Sequence, residues 1–264
     1  MNYVLVTGAA GGMGKAAVAA FRAAGYGVFA LDRTPIEPAD GVIALTADIT
    51  DEVSLAAAAE IVRGVTDSLF AIVHYAGIYM LDSLVEMDAA DFSRILSVNF
   101  TGAFLVNKTF LPFLSAGSRI VMTTSELAPL DPLPFTGIYA VTKAALDKYA
   151  YSLRMELQLL GIHVSVLRAG AVTTAMLGAS TDALARFCES TELYSCNAAR
   201  FRAIVERVEA RSVPPETIAQ KTARILAKRR PRFAYAINRN PLLLLLNVLP
   251  KRMQLWAIRM VLHS

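Results

Sequence analysis

Short apolar runs alternate along the chain with longer stretches in which small and apolar residues recur every three or four positions. Residues 2–6 form the first apolar run, which ends in a glycine-rich turn, and residues 13–24 follow with helical spacing. Further strands are predicted at 27–31, 42–45, 69–74, 119–123 and 163–167, and further helices at 51–63 and 136–160. This alternation predicts an α/β fold with a single doubly wound parallel sheet and helices on both faces.

A single domain is the economical interpretation of residues 1–240, since no internal repeat and no low-complexity linker precedes residue 170. Residues 173–212 turn irregular and then helical, and a connection of this length in a compact domain is typical of a substrate lid. A helix at 215–228 and an edge strand at 232–235 are predicted to complete the domain. Residues 241–264 remain as an apolar and basic helical tail.

The composition excludes several classes of protein. A chain of 264 residues with 55% apolar and 18% charged residues is far from the composition of a disordered regulator. Cys188 and Cys196 have neither CxxC nor zinc-ligand spacing, and His163 and His263 also lack ligand spacing, so no metal site is predicted. We expect no signal peptide at the N-terminus and a cytoplasmic location with reduced thiols.

The net charge of +4 is unevenly distributed. Residues 228–264 contain eight basic residues and no acidic one, whereas acidic residues exceed basic ones in the rest of the chain. A nucleic-acid-binding domain would spread its positive charge and interleave it with aromatic residues, so we expect no nucleic-acid partner. A basic segment rich in leucine instead indicates a membrane surface or an anionic substrate.

The first turn directly follows a strand, opens a helix and contains Gly8, Gly12, Met13 and Gly14. Glycines let the backbone approach a pyrophosphate, whose charge the free N–H groups at a helix start stabilise. Asp32 ends the second strand, where a carboxylate can accept hydrogen bonds from ribose hydroxyls and repel a 2′-phosphate. The pattern therefore favours NAD, with NADP as the alternative because Arg33 is adjacent to this aspartate.

Tyr139 and Lys143 are four residues apart at the start of the long predicted helix, which places both side chains on one face. A nearby ammonium favours the phenolate and so is expected to lower the pKa of the phenol toward the working pH. Such a tyrosine can act as a general acid or base. Taken alone, the spacing is equally typical of a solvated helix pair.

Together, the TGxxxGxG turn and the YxxxK pair resemble the short-chain dehydrogenase/reductase family, and the likeness spans roughly residues 2–235. The resemblance implies a Rossmann-type domain that binds NAD or NADP and transfers hydride between an alcohol and a ketone. It also implies a catalytic set of Tyr139, Lys143, Ser125 and Asn99. Within that set Ser125 holds the substrate oxygen, and Asn99 anchors a water that relays the proton from Lys143.

Further cofactor contacts are implied by the same resemblance. Asp48 and Ile49 match the segment at the adenine ring, and Ala76-Gly77 matches the end of an asparagine-rich cofactor segment. The segment that holds the nicotinamide carboxamide corresponds to Gly170, Val172 and Thr174. Family members commonly pair through the helix that bears Tyr139, so a homodimer or homotetramer is expected.

The chain departs from the family pattern at three places. His74-Tyr75 stands where two asparagines are usual, and Ala169-Gly170 stands where Pro-Gly is usual. Histidine can still form a hydrogen bond, and we interpret His74 as a satisfied core residue. Ser125 precedes Tyr139 by fourteen residues, which is longer than the usual spacing, so Thr124 is a rival for the same role.

The predicted lid is rich in large apolar side chains, and Met80 and Leu81 are expected on the opposite wall. The lid residues are Met176, Leu177, Leu184, Phe187, Leu193, Tyr194 and Phe201. A lipophilic substrate resembling a steroid, a retinoid or an acyl chain suits such a pocket better than a sugar. Arg186, Arg200 and Arg202 could instead bind a carboxylate or phosphate.

Two other interpretations of the function remain. One is an NADPH-dependent acyl-chain or carbonyl reductase, and the other is a non-catalytic scaffold that kept the cofactor-binding fold.

The tail permits two interpretations. Residues 241–250 are too few to span a bilayer, while Met253, Trp256 and Met260 recur at helical spacing beside basic residues. Peripheral attachment to anionic lipid is one interpretation. The other is that these apolar residues pack on the core or close the substrate pocket.

Overall fold

The computed structural model describes residues 1–209 and 211–262, with the backbone alone at 175–181, 196, 208 and 209. Cys196, Met176 and Leu177 therefore have no described side chains, and His263 lies outside the described residues.

The described residues form one parallel sheet of seven strands in the order β3-β2-β1-β4-β5-β6-β7. The strands are β1 (Tyr3–Thr7), β2 (Gly27–Asp32), β3 (Val42–Thr46), β4 (Ala71–His74), β5 (Arg119–Ser125), β6 (His163–Ala169) and β7 (Ala234–Ile237). The strand order reverses between β1 and β4, where ligands bind in doubly wound sheets. This sheet confirms the predicted fold class.

Helices cover both faces of the sheet. Those of the main body are α1 (Gly12–Ala23), α2 (Glu52–Arg63), α3 (Ala89–Leu96), α4 (Gly102–Phe110), α5 (Gly137–Leu157) and α8 (Pro215–Leu226). Alternate residues of each strand point to opposite faces, so β1 contributes Leu5 to one core and Val6 to the other. The first core packs under α2, α4 and α5, and the second under α1 and α8.

Helices α3 and α4 were not assigned from the apolar pattern. A π-helical segment, Ser97–Thr101, separates them and contains the buried Asn99. A π-helical turn shifts the helical phase, which breaks the regular spacing of apolar residues on which the prediction relies. Residues 69 and 70 precede β4 although they were predicted within it, and the Leu69 amide donates instead to the Phe113 carbonyl at 2.8 Å.

The predicted lid contains α6 (Ala175–Ser190) and α7 (Ser195–Glu209), so its helical part starts earlier than expected. Its apolar side chains pack with Leu81 around Phe135, forming a third buried cluster that also includes Leu184, Phe187 and Phe201. The rings of Phe135 and Phe187 have centroids 4.5 Å apart. Leu193 instead is 68% exposed.

The tail forms α9 (Pro241–Val248) and α10 (Lys251–Leu262). Its first turn is fixed by the Asn240 side chain, which caps α9 by accepting a hydrogen bond from the Leu242 amide at 3.0 Å. In the part of the chain that the structure describes, no helix has the length and apolar character needed to cross a bilayer.

Candidate functional site

A cleft of about 720 Å³ lies at the carboxyl ends of β1, β2 and β4. Ten of the predicted cofactor residues line it, and they are Gly8, Gly12, Met13, Gly14, Asp32, Asp48, Ile49, Ala76, Gly77 and Thr174. Residues that are far apart in sequence meet here because parallel strands bring their carboxyl ends to one edge of the sheet. The volume lies within the range of small-molecule and cofactor pockets.

The glycines of the first turn are required by close packing. Gly8 has a φ of +69°, and a Cβ built on it would lie 2.5 Å from the Ala76 amide nitrogen. A Cβ on Gly12 would lie 2.7 Å from Thr174 Cγ2, and one on Gly14 would overlap the Gly8 carbonyl. The N-cap of α1 is Gly11, which has no side chain to cap the helix, and Gly11, Gly12 and Met13 all line the cleft. These features fit a pyrophosphate group.

Backbone amides hold both carboxylate oxygens of Asp32. Ala10 N donates to Oδ2 and Thr34 N donates to Oδ1, each at 3.0 Å. The carboxylate is thereby fixed on the cleft wall between the glycine turn and the end of β2. Arg33 lines the same wall, so one acidic and one basic side chain are available to a nucleotide ribose.

Asp48 follows β3 and lines the same cleft. Its Oδ1 accepts hydrogen bonds from the Thr50 amide at 2.8 Å and the Thr50 hydroxyl at 2.7 Å. These bonds lower the pKa of Asp48, and the nearby Arg33 guanidinium lowers it further. A fixed carboxylate therefore precedes Ile49 at the predicted adenine end of the cleft.

Tyr139 lies in the first turn of α5, and its phenol is hydrogen-bonded to the Ser125 side chain at the end of β5. The Tyr79 ring packs against it with centroids 4.8 Å apart. Burial raises the pKa of Tyr139, the interaction with Tyr79 raises it further, and the Ser125 hydrogen bond opposes the rise. The expected lowering of this pKa by Lys143 is not found, because burial, the largest cause, raises it.

Lys143 and Asn99 lie directly below the cleft floor. A Cβ built on Gly77 would lie 3.2 Å from Asn99 Oδ1 and 3.5 Å from Lys143 Nζ, so only glycine leaves this approach open. Lys143 Nζ donates to the Thr123 carbonyl at 3.2 Å and lies 5.7 Å from the centre of the Tyr139 ring. Burial lowers the pKa of Lys143 to about 8.

The Asn99 side chain fixes the loop that follows β4. Its Oδ1 accepts from Ile78 N at 2.8 Å, and its Nδ2 donates to the Ile78 carbonyl at 2.9 Å and to Thr142 Oγ1 at 3.1 Å. Thr142 Oγ1 in turn donates to the Tyr139 carbonyl at 2.8 Å. Asn99 thus connects the cleft floor to the helix that carries Tyr139 and Lys143.

Thr124 points away from Tyr139. Its hydroxyl donates to Asp147 Oδ1 at 3.3 Å, and Asp147 also forms a bidentate ion pair with Arg168 at 2.9 and 2.7 Å. Successive strand residues face opposite sides of a sheet, so only one of the two adjacent hydroxyls can reach the phenol. In this structure that hydroxyl belongs to Ser125.

Four predicted cofactor residues are not among the described residues that line the cleft, and they are Tyr139, Lys143, Gly170 and Val172. A Cβ on Gly170 would overlap the Asn238 carbonyl, so this glycine serves the close approach of β7 to the end of β6. Val172 is buried in the core under α1 and α8, where it pairs with Val213. The roles of Gly170 and Val172 as cofactor contacts stay predictions, and the sequence did not show that the chain after β7 returns to this point.

His74 is buried at the end of β4, and its Nε2 is 2.9 Å from Asn107 Oδ1. Asn107 Nδ2 donates to the Tyr149 hydroxyl at 3.2 Å. Burial lowers the pKa of His74 to about 4, and the Lys143 charge contributes to the lowering. The interpretation of His74 as a satisfied core residue is confirmed.

Sequence reasoning did not identify Tyr79 as part of the cleft region, named Arg186 as a candidate anion-binding residue, and misplaced other residues. Tyr79 and Arg186 both line the cleft, and Tyr79 also covers Tyr139. The lid residues expected to line an open apolar pocket contact one another instead, and Met80 is on the cleft wall. Tyr79 lies two residues after the matched Ala76-Gly77 segment, and this position is the sequence feature that could have identified it as a cleft residue.

The other candidate groups of the lid have structural partners. Arg202 Nε lies 3.0 Å from Glu206 Oε1. Cys188 is half-buried, and its Sγ contacts the Ala198 carbonyl at 3.5 Å. Across residues 1–209 and 211–262, histidine, cysteine and carboxylate side chains form no group of three that could hold a metal ion.

Residues 2–185 match the family model described as short chain dehydrogenase. The chain is 32% identical over 193 residues to an NADPH-dependent 1-acyldihydroxyacetone phosphate reductase of Schizosaccharomyces pombe, a match that covers 69% of this chain and 65% of that protein. It is 24% identical over 262 residues to a 3-ketodihydrosphingosine reductase of Bacteroides thetaiotaomicron, covering 97% of this chain and 96% of that one. The first match therefore spans less than two thirds of its relative.

Solved structures show the same fold. A short chain dehydrogenase family protein from Francisella tularensis superposes with a TM-score of 0.75 at 21% identity, covering 90% of this chain and 97% of the other. A 3-ketoacyl-(acyl-carrier-protein) reductase from Brucella melitensis, complexed with NADH, has a TM-score of 0.73 at 21% identity, with coverages of 89% and 96%.

Proposed function

The chain belongs to the short-chain dehydrogenase family of NAD(P)-dependent oxidoreductases, and we propose that it interconverts a lipophilic secondary alcohol and its ketone. The observation that carries this proposal is the Tyr139 phenol, which is hydrogen-bonded to Ser125 beside the glycine-lined cleft. A hydroxyl or carbonyl oxygen between these two side chains could exchange a proton with the phenol.

Each member of the site has a distinct proposed role. Tyr139 Oη takes the proton of the substrate hydroxyl during oxidation and returns it during reduction, while Ser125 Oγ holds the substrate oxygen. Lys143 Nζ lies below Gly77, from where it is expected to hydrogen-bond the cofactor ribose and support the ionised phenol. Asn99 connects the loop after β4 to α5 through its hydrogen bonds to Ile78 and Thr142. We expect it also to anchor the water that carries the proton from Lys143 to solvent.

The cofactor is proposed to occupy the cleft in the order given by its lining residues. The turn with Gly8, Gly12 and Gly14 would hold the pyrophosphate, Asp32 the adenosine ribose, and Asp48-Ile49 the adenine ring. Bound nicotinamide supplies the acceptor or donor of the hydride. NAD is the proposed cofactor because a fixed carboxylate at Asp32 repels a 2′-phosphate.

An apolar substrate is supported by the side chains near Tyr139. The cluster around Phe135 contains Leu81, Leu184 and Phe187, and residues 173–212 are proposed to act as the lid that opens to admit the substrate. The names of the two relatives above, a 1-acyldihydroxyacetone phosphate reductase and a 3-ketodihydrosphingosine reductase, support a long-chain substrate.

Arg186 favours a second candidate function. Its side chain lines the cleft from α6, where a guanidinium can bind an anionic headgroup. With Arg33 available to a 2′-phosphate, this arrangement supports an NADPH-dependent reductase of an acyl-chain ketone that carries a phosphate or carboxylate. The two candidates share the same Tyr139 chemistry and differ in cofactor and headgroup.

A panel of lipophilic secondary alcohols and their ketones tests both candidates. Formation of reduced cofactor should occur with NAD and an uncharged long-chain alcohol if the first candidate holds. Faster consumption of NADPH with a ketone that carries an anionic headgroup would favour the second. Lack of turnover with every member of the panel and both cofactors would contradict the enzymatic proposal.

We also propose a homodimer or homotetramer that assembles through α5. Val141, Tyr151 and Met155 are exposed on this helix, and they are 45%, 52% and 54% accessible. An apolar helix face of this kind is typical of a subunit interface. Sedimentation equilibrium of the protein and of the Tyr151→Ser/Met155→Ser variant measures this association, which the variant should weaken. A cytoplasmic location remains part of the proposal.

A further inference from the structure

The tail helices are held against the domain by polar contacts on one side. Asn240 N donates to Glu126 Oε2 at 2.5 Å, and the Asp131 amide donates to Asn247 Oδ1 at 2.7 Å. At the far end of the tail, Asn197 Nδ2 donates to the Leu262 carbonyl at 2.6 Å. The tail is therefore docked at both ends, and this side of it is already occupied.

The opposite side of each tail helix is apolar and exposed. Leu242, Leu245 and Val248 recur every three residues of α9 and are 67%, 64% and 81% exposed. Met253, Trp256 and Met260 share a face of α10 with exposures of 50%, 63% and 60%. Single exposed apolar residues are common, but two consecutive helices with such faces indicate an interaction surface.

The charged side chains of the tail itself are all basic. Lys251, Arg252 and Arg259 lie on the same helix as Trp256, and residues 228–264 contain no acidic side chain. The neighbouring carboxylates come from the domain, where Asp131 pairs with Lys251 and Glu126 accepts the Asn240 amide. Both carboxylates contact the docked tail, so they do not neutralise Arg252 or Arg259.

We propose that the exposed faces of α9 and α10 form a surface that binds a bilayer containing anionic lipid. Apolar side chains beside basic ones, with a tryptophan among them, suit helices that lie in the interface between headgroups and acyl chains. With 8 and 12 residues, the helices are too short to span the bilayer. This proposal does not depend on the reaction that the cleft performs.

A second copy of the chain is a less suitable occupant. In a symmetric dimer the same patch occurs on both subunits, so Arg252 and Arg259 of each copy would face a surface that contributes no carboxylate from its tail. Like charges across an interface oppose association, whereas an anionic membrane attracts both residues.

Trp256 offers a direct measurement because the chain contains one tryptophan. The full chain is mixed with vesicles of phosphatidylcholine and phosphatidylglycerol, or with vesicles of phosphatidylcholine alone. We expect the Trp256 emission to shift to shorter wavelength and the protein to float with the anionic vesicles only. Unchanged emission, or protein left at the bottom of the gradient with both vesicles, would overturn the proposal.

Matched variants distinguish binding through this surface from non-specific adsorption of the protein to vesicles. Leu245→Ser/Trp256→Ser should abolish flotation, whereas Val53→Ser/Leu159→Ser, which changes residues 78% and 83% exposed elsewhere, should float like the parent chain. Arg252→Gln/Arg259→Gln should reduce vesicle binding roughly 30-fold at low salt, because each basic residue near an anionic surface contributes about fivefold. Circular dichroism verifies that every variant is folded.

Sedimentation in the absence of lipid distinguishes a bilayer from a second copy of the chain as the partner of this surface. If the chain forms a dimer that Leu245→Ser/Trp256→Ser dissociates, the surface binds a second copy and the membrane proposal is wrong. An association state that this variant leaves unchanged, together with loss of flotation, supports the bilayer as the occupant.

Discussion

The Tyr79 ring covers the Tyr139 ring, with their centroids 4.8 Å apart and their planes inclined by 54°. Tyr79 lies on the cleft wall and Tyr139 on α5, so a residue of the loop after β4 limits the access of water to the phenol. Burial is the largest cause of the raised pKa of Tyr139, and the interaction with Tyr79 raises it further. The hydration of the phenol therefore depends on a residue outside the YxxxK pair.

Removing the Tyr79 ring should change the pH dependence of the proposed reaction. In Tyr79→Ala, water reaches the phenol and its pKa falls, so the rise in the rate of alcohol oxidation should move to lower pH. Tyr79→Phe retains the ring and should retain most of the profile. The measurement is kcat/KM against pH, and identical profiles for the Ala variant and the parent chain would show that Tyr79 does not control the hydration of Tyr139.

Loss of the Tyr139 hydroxyl should remove turnover without removing cofactor binding. Tyr139→Phe keeps the ring that packs against Tyr79, and general acid–base catalysis contributes about 10²–10⁴-fold, so kcat should fall by that factor. Fluorescence titration with NADH and NADPH should give dissociation constants close to those of the parent chain. Tyr151→Phe on the exposed side of the same helix is the matched control, and an equal loss of kcat there would refute the assignment.

Ser125→Ala and Thr124→Ala should have different effects. The first removes the hydrogen-bond partner of the Tyr139 phenol, so kcat should fall roughly 10²-fold, and loss of the bond from the Leu127 amide should lower the free energy of unfolding by about 1 kcal/mol. The second removes a donor to Asp147, so the free energy of unfolding should fall by about 1 kcal/mol while kcat is retained. Steady-state kinetics and urea unfolding measure the two effects. Reversed effects would assign the substrate contact to Thr124.

Neutralising Asp32 should shift the cofactor preference. Asp32→Asn keeps one side-chain oxygen as an acceptor but loses the charge that repels a 2′-phosphate, so the ratio of NADPH to NADH affinity should rise roughly tenfold. Fluorescence titration with each cofactor measures the ratio. Asp40→Asn changes an exposed aspartate away from the cleft lining and should leave the ratio unchanged. A ratio unaffected by Asp32→Asn would mean that Arg33 or another group sets the preference.

His74 should make the fold sensitive to acid. Its pKa is about 4 in the folded chain and 6.5 when unperturbed, so between these values the unfolded chain binds the extra proton. Stability contributed by the neutral His74 is therefore present above pH 6.5 and lost as the pH falls toward 4, by roughly 3 kcal/mol. Urea unfolding across this range should show a shallower decline for His74→Asn than for His163→Asn. Parallel curves would contradict the role of His74.

The sequence by itself determined the sheet and most of the cofactor wall. Short continuous apolar runs predict strands that are buried on both faces, a spacing of 3.6 residues predicts the helices that cover them, and the glycines after the first strand predict the phosphate-binding turn. Ten of the predicted cofactor residues line the cleft because parallel strands deliver their carboxyl ends to one edge. These are local patterns, or direct consequences of strand order.

Only the tertiary structure decided features that depend on contacts between distant segments. The choice between Ser125 and Thr124 follows from the face of β5 to which each hydroxyl points. The raised pKa of Tyr139 follows from its burial and from the Tyr79 ring beside it. Gly170 leaves room for the Asn238 carbonyl on the chain that follows β7, and the spacing of residues along the sequence does not reveal this contact. The sequence left open whether the tail binds lipid or packs on the domain, because an apolar pattern predicts which residues share a helix face but not what that face contacts. Docking through Asn240 and Asn247 identifies which side stays exposed.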